Sequence, residues 1–117
     1  MRGRWVQGRT RASTWGIAVV RGRSMQPGLR DGDRLLVRWG VEVSPGDVVV
    51  ARLGDGTVAV KRAVERRDTR TGVPGWWLLS DNAVDGVDSR HRGPVGDDAV
   101  LAVVRARVWP PRWRHRE

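Results

Sequence analysis

The sequence predicts a mostly β protein that forms a single small domain. A chain of 117 residues is long enough for one domain with a modest core. It contains 15 Gly and 6 Pro, and its apolar residues fall in short valine-rich runs, which are typical of strands separated by turns. No long amphipathic helix is predicted. In "SMQPGL", Pro27 and Gly28 leave room for one helical turn at most.

Six runs are candidate strands, and turn-forming residues lie between them. The second run begins at Gly32-Asp33, and the third follows "SPGD" at 44–47. The fourth and fifth runs follow tight or Gly-rich connections, as antiparallel neighbours usually do. The predicted strands are residues 16–20, 33–38, 47–53, 57–66, 76–80 and 99–109.

The two ends of the chain are predicted to lie outside the β domain. We expect residues 1–14 to form a basic, disordered arm, 15–109 the domain, and 110–117 a basic tail. Of the net charge of +9, residues 1–23 contribute six Arg and no acidic residue. Such ends can bind nucleic acid or an acidic partner, or they can be solvated tails. Trp109 and Trp113 could likewise stack on bases or pack on the domain.

The composition excludes several classes of site. There is no cysteine, so disulfides, thiolate metal sites and cysteine nucleophiles are excluded. Apolar runs such as "IAVV" are far shorter than the roughly 20 residues that cross a membrane, and no apolar signal core follows the N-terminal arginines. We therefore expect a soluble, cytoplasmic protein without a membrane span.

The segment 80–95 has the beginning of a calcium-binding pattern at Asp81 and Asp85. The pattern fails because Ala83 and Arg92 occupy positions that need oxygen ligands. We expect neither a metal nor another cofactor. Asp88, Ser89 and Arg90 in this segment have the composition of a polar clamp or of an ordinary hydrogen-bonded turn.

Lys61 is the only lysine among the 22 basic residues. Arginine stays protonated in proteins, whereas a partly buried lysine can lose its proton and act as a base. In a strand over 57–66, Lys61 shares one face with Ala59 and Ala63. These small neighbours leave a trough in which desolvation would lower the lysine pKa. A solvent-facing lysine would tolerate the same neighbours, so both readings stay open at this point.

Ser24 is the candidate nucleophile. It follows the first predicted strand in a loop stiffened by Pro27, where backbone N–H groups can converge on an oxyanion. His91 and His115 are the only histidines, and neither is placed as a catalytic base. If Ser24 is activated, Lys61 is the best candidate for the base, as in Ser-Lys hydrolases. The alternative is an ordinary loop serine.

Taken together, these stretches resemble the type I signal peptidase family of Ser-Lys proteases. The resemblance covers roughly residues 16–109 and implies the coiled antiparallel β fold that this family shares with LexA-type repressors. The matching stretches are "SMQPGL" (24–29) for the nucleophile, "RDGDRLLV" (30–37) and "PGDVVV" (45–50) for the next strands, "VKRAV" (60–64) for the lysine, and "SDNAVDGVDSRHRGPV" (80–95) for the closing segment.

The resemblance also implies roles for individual residues. Ser24 would be the nucleophile, Lys61 the general base, and Asp88 with Arg90 a supporting ion pair. We expect Met25 and Ser89 to belong to the same supporting loops, near the oxyanion or clamping the site.

The chain departs from the family pattern at several positions. It shows no N-terminal membrane anchor, and only 19 residues separate Lys61 from Asp81, where relatives usually carry an inserted domain. Gly22 replaces a serine that donates to the oxyanion in some relatives, which leaves backbone donors such as the N–H of Ser24. Ser80 replaces the glycine that relatives usually have directly before Asp81-Asn82. Gly86 replaces a serine that orients the lysine in many relatives, so this role is vacant or falls to Ser89.

A compact chain without an anchor most resembles the maturation proteases of nickel-type superoxide dismutase, including the ending "RARVWP" at 105–110. The resemblance implies a serine endopeptidase that removes the N-terminal propeptide of this dismutase, with the soluble precursor as its partner. Two alternatives remain: a signal-peptidase-like protease with another soluble substrate, and a basic nucleic-acid-binding module whose protease site is vestigial.

Overall fold

The computed structural model describes residues 14–82, 84 and 87–111, and in these residues seven strands form one antiparallel sheet. Their spatial order is β1-β2-β7-β3-β4-β5-β6. The mostly β prediction is therefore confirmed. The elements are β1 (Thr14–Val19), β2 (Arg34–Trp39), β3 (Val48–Arg52), β4 (Val58–Arg66), β5 (Gly75–Leu79), a short helix α1 (Ser89–Arg92), β6 (Val95–Gly96), a 3-10 helix (Asp97–Ala99) and β7 (Val100–Trp109).

All six predicted strands are present, with ends within two residues of the predicted ones. The sequence did not predict β6 or α1, because two and four residues are too short to show a periodic pattern. Thr14, predicted to end the basic arm, instead pairs with Trp39 at the start of β1. The predictions for residues 1–13 and 112–117, including Trp113 and His115, lie outside the described residues.

Glycine turns lie before β3 and between β3 and β4, the hairpin that carries the candidate base. Gly46 and Gly56 have φ values of 96° and 88°, a region that side chains disfavour. Leu53 N–H donates to the Thr57 carbonyl at 2.7 Å and closes the hairpin. The resulting register places Val49 opposite Lys61.

The buried apolar side chains form two clusters on opposite faces of β3. One contains Val49, Ala51, Ala63, Trp76, Leu78 and Val103, and the other contains Val20, Leu35, Val37, Val50 and Ala102. Because side chains alternate along a strand, Lys61 lies on the same face of β4 as Ala63 and points toward the first cluster. The sheet thus carries the lysine into the protein interior. None of the helices in the described part of the chain has the length and apolar character needed to cross a membrane.

Candidate active site

Lys61 is buried in the middle of β4, with 3% of its surface exposed. Its Nζ donates a hydrogen bond to Oγ of Ser80 at 2.8 Å. Of the two readings that its alanine neighbours allowed, the structure shows the buried one. A lysine in such a place is held in one position and is separated from bulk water.

The surroundings lower the pKa of Lys61. Burial is the main cause, because desolvation penalises the ammonium form. The carboxylate of Asp88 raises the pKa and the guanidinium of Arg90 lowers it, and these effects are smaller than that of burial. The amine is therefore more readily deprotonated than an ordinary lysine, which is what a general base requires.

Asp88 and Arg90 form a bidentate ion pair behind the lysine. Arg90 Nη2 lies 2.8 Å from Asp88 Oδ2, and Arg90 Nε lies 3.0 Å from Oδ1. Burial by itself raises the pKa of Asp88, but hydrogen bonds from the Arg90 side chain and from the N–H groups of Ser80 and Arg90 outweigh it. The pKa of Asp88 therefore lies well below its usual range, and the carboxylate stays charged.

The hydroxyl that contacts the lysine belongs to Ser80 and not to Ser89. Ser89 Oγ accepts the Leu78 N–H at 2.9 Å and so holds the start of α1 against β5. Of the two alternatives for the lysine-orienting role, a vacancy and Ser89, these contacts do not support the second. Gly86, the position that raised this question, lies outside the described residues, as do Ala83 and Asp85.

The loop that carries Ser24 is tied to the segment that follows β5. Asn82 N–H donates to the Ser24 carbonyl at 2.7 Å, and Asn82 Nδ2 donates to the Arg23 carbonyl at 3.0 Å. Asp81 N–H contacts Sδ of the buried Met25 at 3.3 Å. Residues 80–82 thus contact the lysine at one end and the serine loop at the other. Met25 clamps this loop.

Ser24 and Lys61 are not joined directly. Within the described residues no hydrogen bond links their side chains, and the bond of the lysine amine goes to Ser80. Ser24 itself is partly buried and lies in the turn between β1 and β2. The structure therefore brings the two residues to a common segment, and their direct contact during a reaction stays a prediction.

The backbone around Ser24 offers a donor for an oxyanion. Gly22 N–H is already used, since it donates to Asp31 Oδ1 at 2.7 Å. The N–H of Ser24 donates to no other group among the described residues. Because Gly22 has no side chain, position 22 offers no side-chain donor, and the use of the Ser24 N–H for an oxyanion stays a prediction.

A groove of about 370 Å³ opens beside Ser24 and Met25. Ile17 and Val58 on its walls are more than half exposed, so the groove offers apolar surface to a ligand from solvent. Its other lining residues are Ala18, Val19, Val20, Arg21, Trp39, Val50, Thr57, Ala59 and Val60. The walls are mainly apolar, and β4 contributes two valines and one alanine to them.

His91, the histidine within the described residues, has a structural role. Its Nδ1 accepts the Asp88 N–H at 3.4 Å and completes a capping box at the start of α1. Within the described residues, His91 thus contacts the backbone of Asp88 and makes no hydrogen bond with Lys61. The sequence interpretation that His91 is not the base agrees with this position.

Sequence comparisons place these features in a known family. The sequence model of the family described as Peptidase S24-like matches residues 3–90. Mitochondrial inner membrane protease subunit 1 of Schizosaccharomyces pombe is 32% identical over an alignment 119 positions long. The alignment covers 83% of this chain and 76% of that protein. The LexA repressors of Cupriavidus metallidurans and Cupriavidus necator are each 55% identical over 51 residues, 43% of this chain and 23% of the repressor.

These similarities support a peptidase, and the coiled β fold agrees with them. The family match covers most of the chain, including Ser24, Lys61 and the Asp88-Arg90 pair. The names of these three relatives refer to an inner membrane protease subunit and to LexA repressors, and they do not mention superoxide dismutase. The chain belongs to the Peptidase S24-like family.

Proposed function

We propose that this protein is a serine endopeptidase in which Ser24 is the nucleophile and Lys61 the general base. The observation that carries the proposal is the buried amine of Lys61, held 2.8 Å from Ser80 Oγ in a segment that also bonds the Ser24 carbonyl. Lys61 is buried with a lowered pKa, and it forms no ion pair with a carboxylate in the part of the chain that the structure describes. It is suited to accept a proton.

The first half of the reaction forms an acyl-enzyme. The neutral Lys61 amine removes the proton from Ser24 Oγ as Oγ bonds to the carbonyl carbon of the substrate. The negative charge that develops on the carbonyl oxygen is stabilised by backbone N–H groups such as that of Ser24. Lys61, now an ammonium, gives its proton to the leaving amine as the peptide bond breaks.

The second half releases the acyl group. Lys61 is neutral again after protonating the amine, and it removes a proton from a water molecule that attacks the ester carbon. The ester bond breaks, and the proton returns from Lys61 to Ser24 Oγ. Apart from this water molecule, the reaction needs no metal, nucleotide or other co-reactant.

We further propose the pro-form of a nickel-type superoxide dismutase as the substrate, cleaved in the cytoplasm. Support comes from the sequence resemblance and from the apolar groove beside Ser24, which suits a small apolar side chain before the cut. Cleavage between a small residue and a histidine would expose the amine and imidazole that the nickel site needs. A soluble precursor requires no bilayer for delivery.

The experiment is to mix purified protein with this precursor and to determine the product mass. We expect one cut that leaves histidine at the new N-terminus, and no cut with Ser24→Ala. A second substrate, a signal-type peptide with Ala before the scissile bond, distinguishes the alternatives. If that peptide is cleaved and the precursor is not, the protease assignment holds and the substrate proposal fails.

A further inference from the structure

Ser80 lies opposite Lys61 because of the sheet register. On β4 and β5, Arg62 pairs with Leu79 and Ala63 with Leu78. One further step along the same register places Ser80 opposite Lys61, and the two side chains meet at 2.8 Å. Side chains of directly opposed residues lie on the same face of a sheet, so the position of the Ser80 hydroxyl follows from the strand pairing.

The backbone N–H of Ser80 is also held by a hydrogen bond. Its N–H donates to Oδ2 of the buried Asp88 at 2.7 Å, and this carboxylate is in turn held by Arg90. Both carboxylate oxygens of Asp88 already accept hydrogen bonds from Ser80 N–H, Arg90 N–H and the Arg90 side chain. The carboxylate therefore supports Ser80, while the hydroxyl of Ser80 contacts the lysine.

We propose that Ser80 is the positioning residue that sets the direction of the Lys61 amine, its hydroxyl oxygen accepting one N–H so that the nitrogen lone pair points elsewhere. The proposal rests on the proposed function, in which that lone pair takes the Ser24 proton. A neutral lysine amine has two N–H groups and one lone pair at the end of a flexible four-carbon chain. One fixed acceptor removes most of the rotations that would misdirect the lone pair.

Among the described residues, the other candidates for this role are not suited to it. Val49, opposite Lys61 on β3, has no polar side-chain atom. The Ser89 hydroxyl is committed to the Leu78 N–H. Asp88 and Arg90 are the charged groups that act on Lys61, and they are paired with each other. Ser80, which occupies a position where glycine is usual in the resembling family, supplies the hydroxyl.

The first test measures Lys61 itself and needs no substrate. Because the chain has one lysine, lysine-selective ¹³C labelling gives a single side-chain signal whose titration reports this amine. A hydroxyl oxygen that accepts from the ammonium favours the charged form. Ser80→Ala should therefore move the titration midpoint to lower pH, Ser80→Thr should restore it, and Ser44→Ala, at an exposed turn, should leave it unchanged.

The second test measures cleavage as a function of pH, with a peptide that the wild-type protein cleaves. Loss of orientation should lower the plateau rate of Ser80→Ala by roughly 10- to 100-fold, with little change in KM. Its pH profile should shift in the same direction as the titration, and Ser80→Thr should recover most of the rate. A purely structural role would not move the pH profile while amide spectra stay native.

Two outcomes would overturn the proposal. In the first, Ser80→Ala titrates and cleaves like the wild type. In the second, Ser24→Ala still cleaves while Ser80→Ala forms no acyl-enzyme, which would make Ser80 the nucleophile. If the wild-type protein cleaves no peptide, the proposed function fails, and the lysine titration alone then decides whether Ser80 controls the amine.

Discussion

Replacement of Asp88 by asparagine tests the bidentate Asp88-Arg90 ion pair, which we call the clamp. Asp88 Oδ2 accepts from Ser80 N–H at 2.7 Å and from Arg90 Nη2 at 2.8 Å. Its Oδ1 accepts from Arg90 N–H at 3.1 Å and from Arg90 Nε at 3.0 Å. An asparagine amide nitrogen cannot accept a hydrogen bond, so two of these contacts become donor against donor whichever way the amide is turned.

The structure gives the size of the effect. Leaving a buried donor such as the Ser80 N–H unpaired costs about 1–3 kcal/mol. The Arg90 side chain is 40% exposed, so solvent screening reduces the loss of its ion pair to at most about 1 kcal/mol. We expect Asp88→Asn to lower the free energy of unfolding by about 1–4 kcal/mol at pH 7. Urea denaturation measures this difference.

Asp81→Asn is the matched control. Asp81 forms a bidentate pair with Arg62 at 2.8 and 2.9 Å, with side-chain exposures of 40% for Arg62 and 30% for Asp81. An exposed pair of this kind contributes about 0–1 kcal/mol. If Asp88→Asn costs no more than Asp81→Asn, the clamp does not contribute as we have argued.

The pH dependence has a definite sign. The folded-state pKa of Asp88 is lower than the unfolded value, so its contribution is present above the unfolded pKa and is lost as pH falls through the folded pKa. The stability difference between the wild type and Asp88→Asn should therefore shrink in acid. A difference that stays constant from neutral pH down to the lowest pH at which both proteins fold would contradict a charged Asp88.

Two further predictions concern the buried lysine and the basic ends. The pKa of Lys61 is lower in the folded protein, so the unfolded chain binds more protons at pH values between the two pKa values. In that interval the stability of the wild type should rise with pH, relative to Lys61→Met, by about 1.4 kcal/mol per pH unit. Parallel stability curves would show an unperturbed lysine. Deletion of residues 1–13 and 112–117 removes four and three Arg, respectively. Any salt-dependent binding to DNA should then collapse in filter-binding assays, while cleavage survives. Lost cleavage with retained DNA binding would favour the nucleic-acid-binding alternative.

Much of the fold could be predicted from one sequence, because its signals are local. The valine-rich runs on either side of Gly54-Asp55-Gly56 predict a hairpin without any tertiary information. The burial of Lys61 was one of two readings of its alanine neighbours, and the sheet order decided between them. β7 pairs with β3 and β5 pairs with β4, so the hairpin lies in the interior of the sheet.

The contact between Ser80 and Lys61 could not be predicted in the same way. It depends on the pairing of Arg62 with Leu79, and a single sequence does not give the register of two strands joined by an eight-residue connection (67–74). The signal was present only as an unusual serine in the closing segment. The tie between Asn82 and the Ser24 carbonyl likewise joins residues that are distant in the sequence.

The most direct test of the central claim is the cleavage rate of Lys61→Arg, measured with a peptide selected from a library by its cleavage by the wild-type protein. Arginine keeps the positive charge but does not deprotonate. Lys61→Met serves as a second variant that fits a buried site, and amide spectra establish that both variants fold. We expect no detectable product from either variant at any pH at which they stay folded. Cleavage by either one near the wild-type rate would show that Lys61 is not the base.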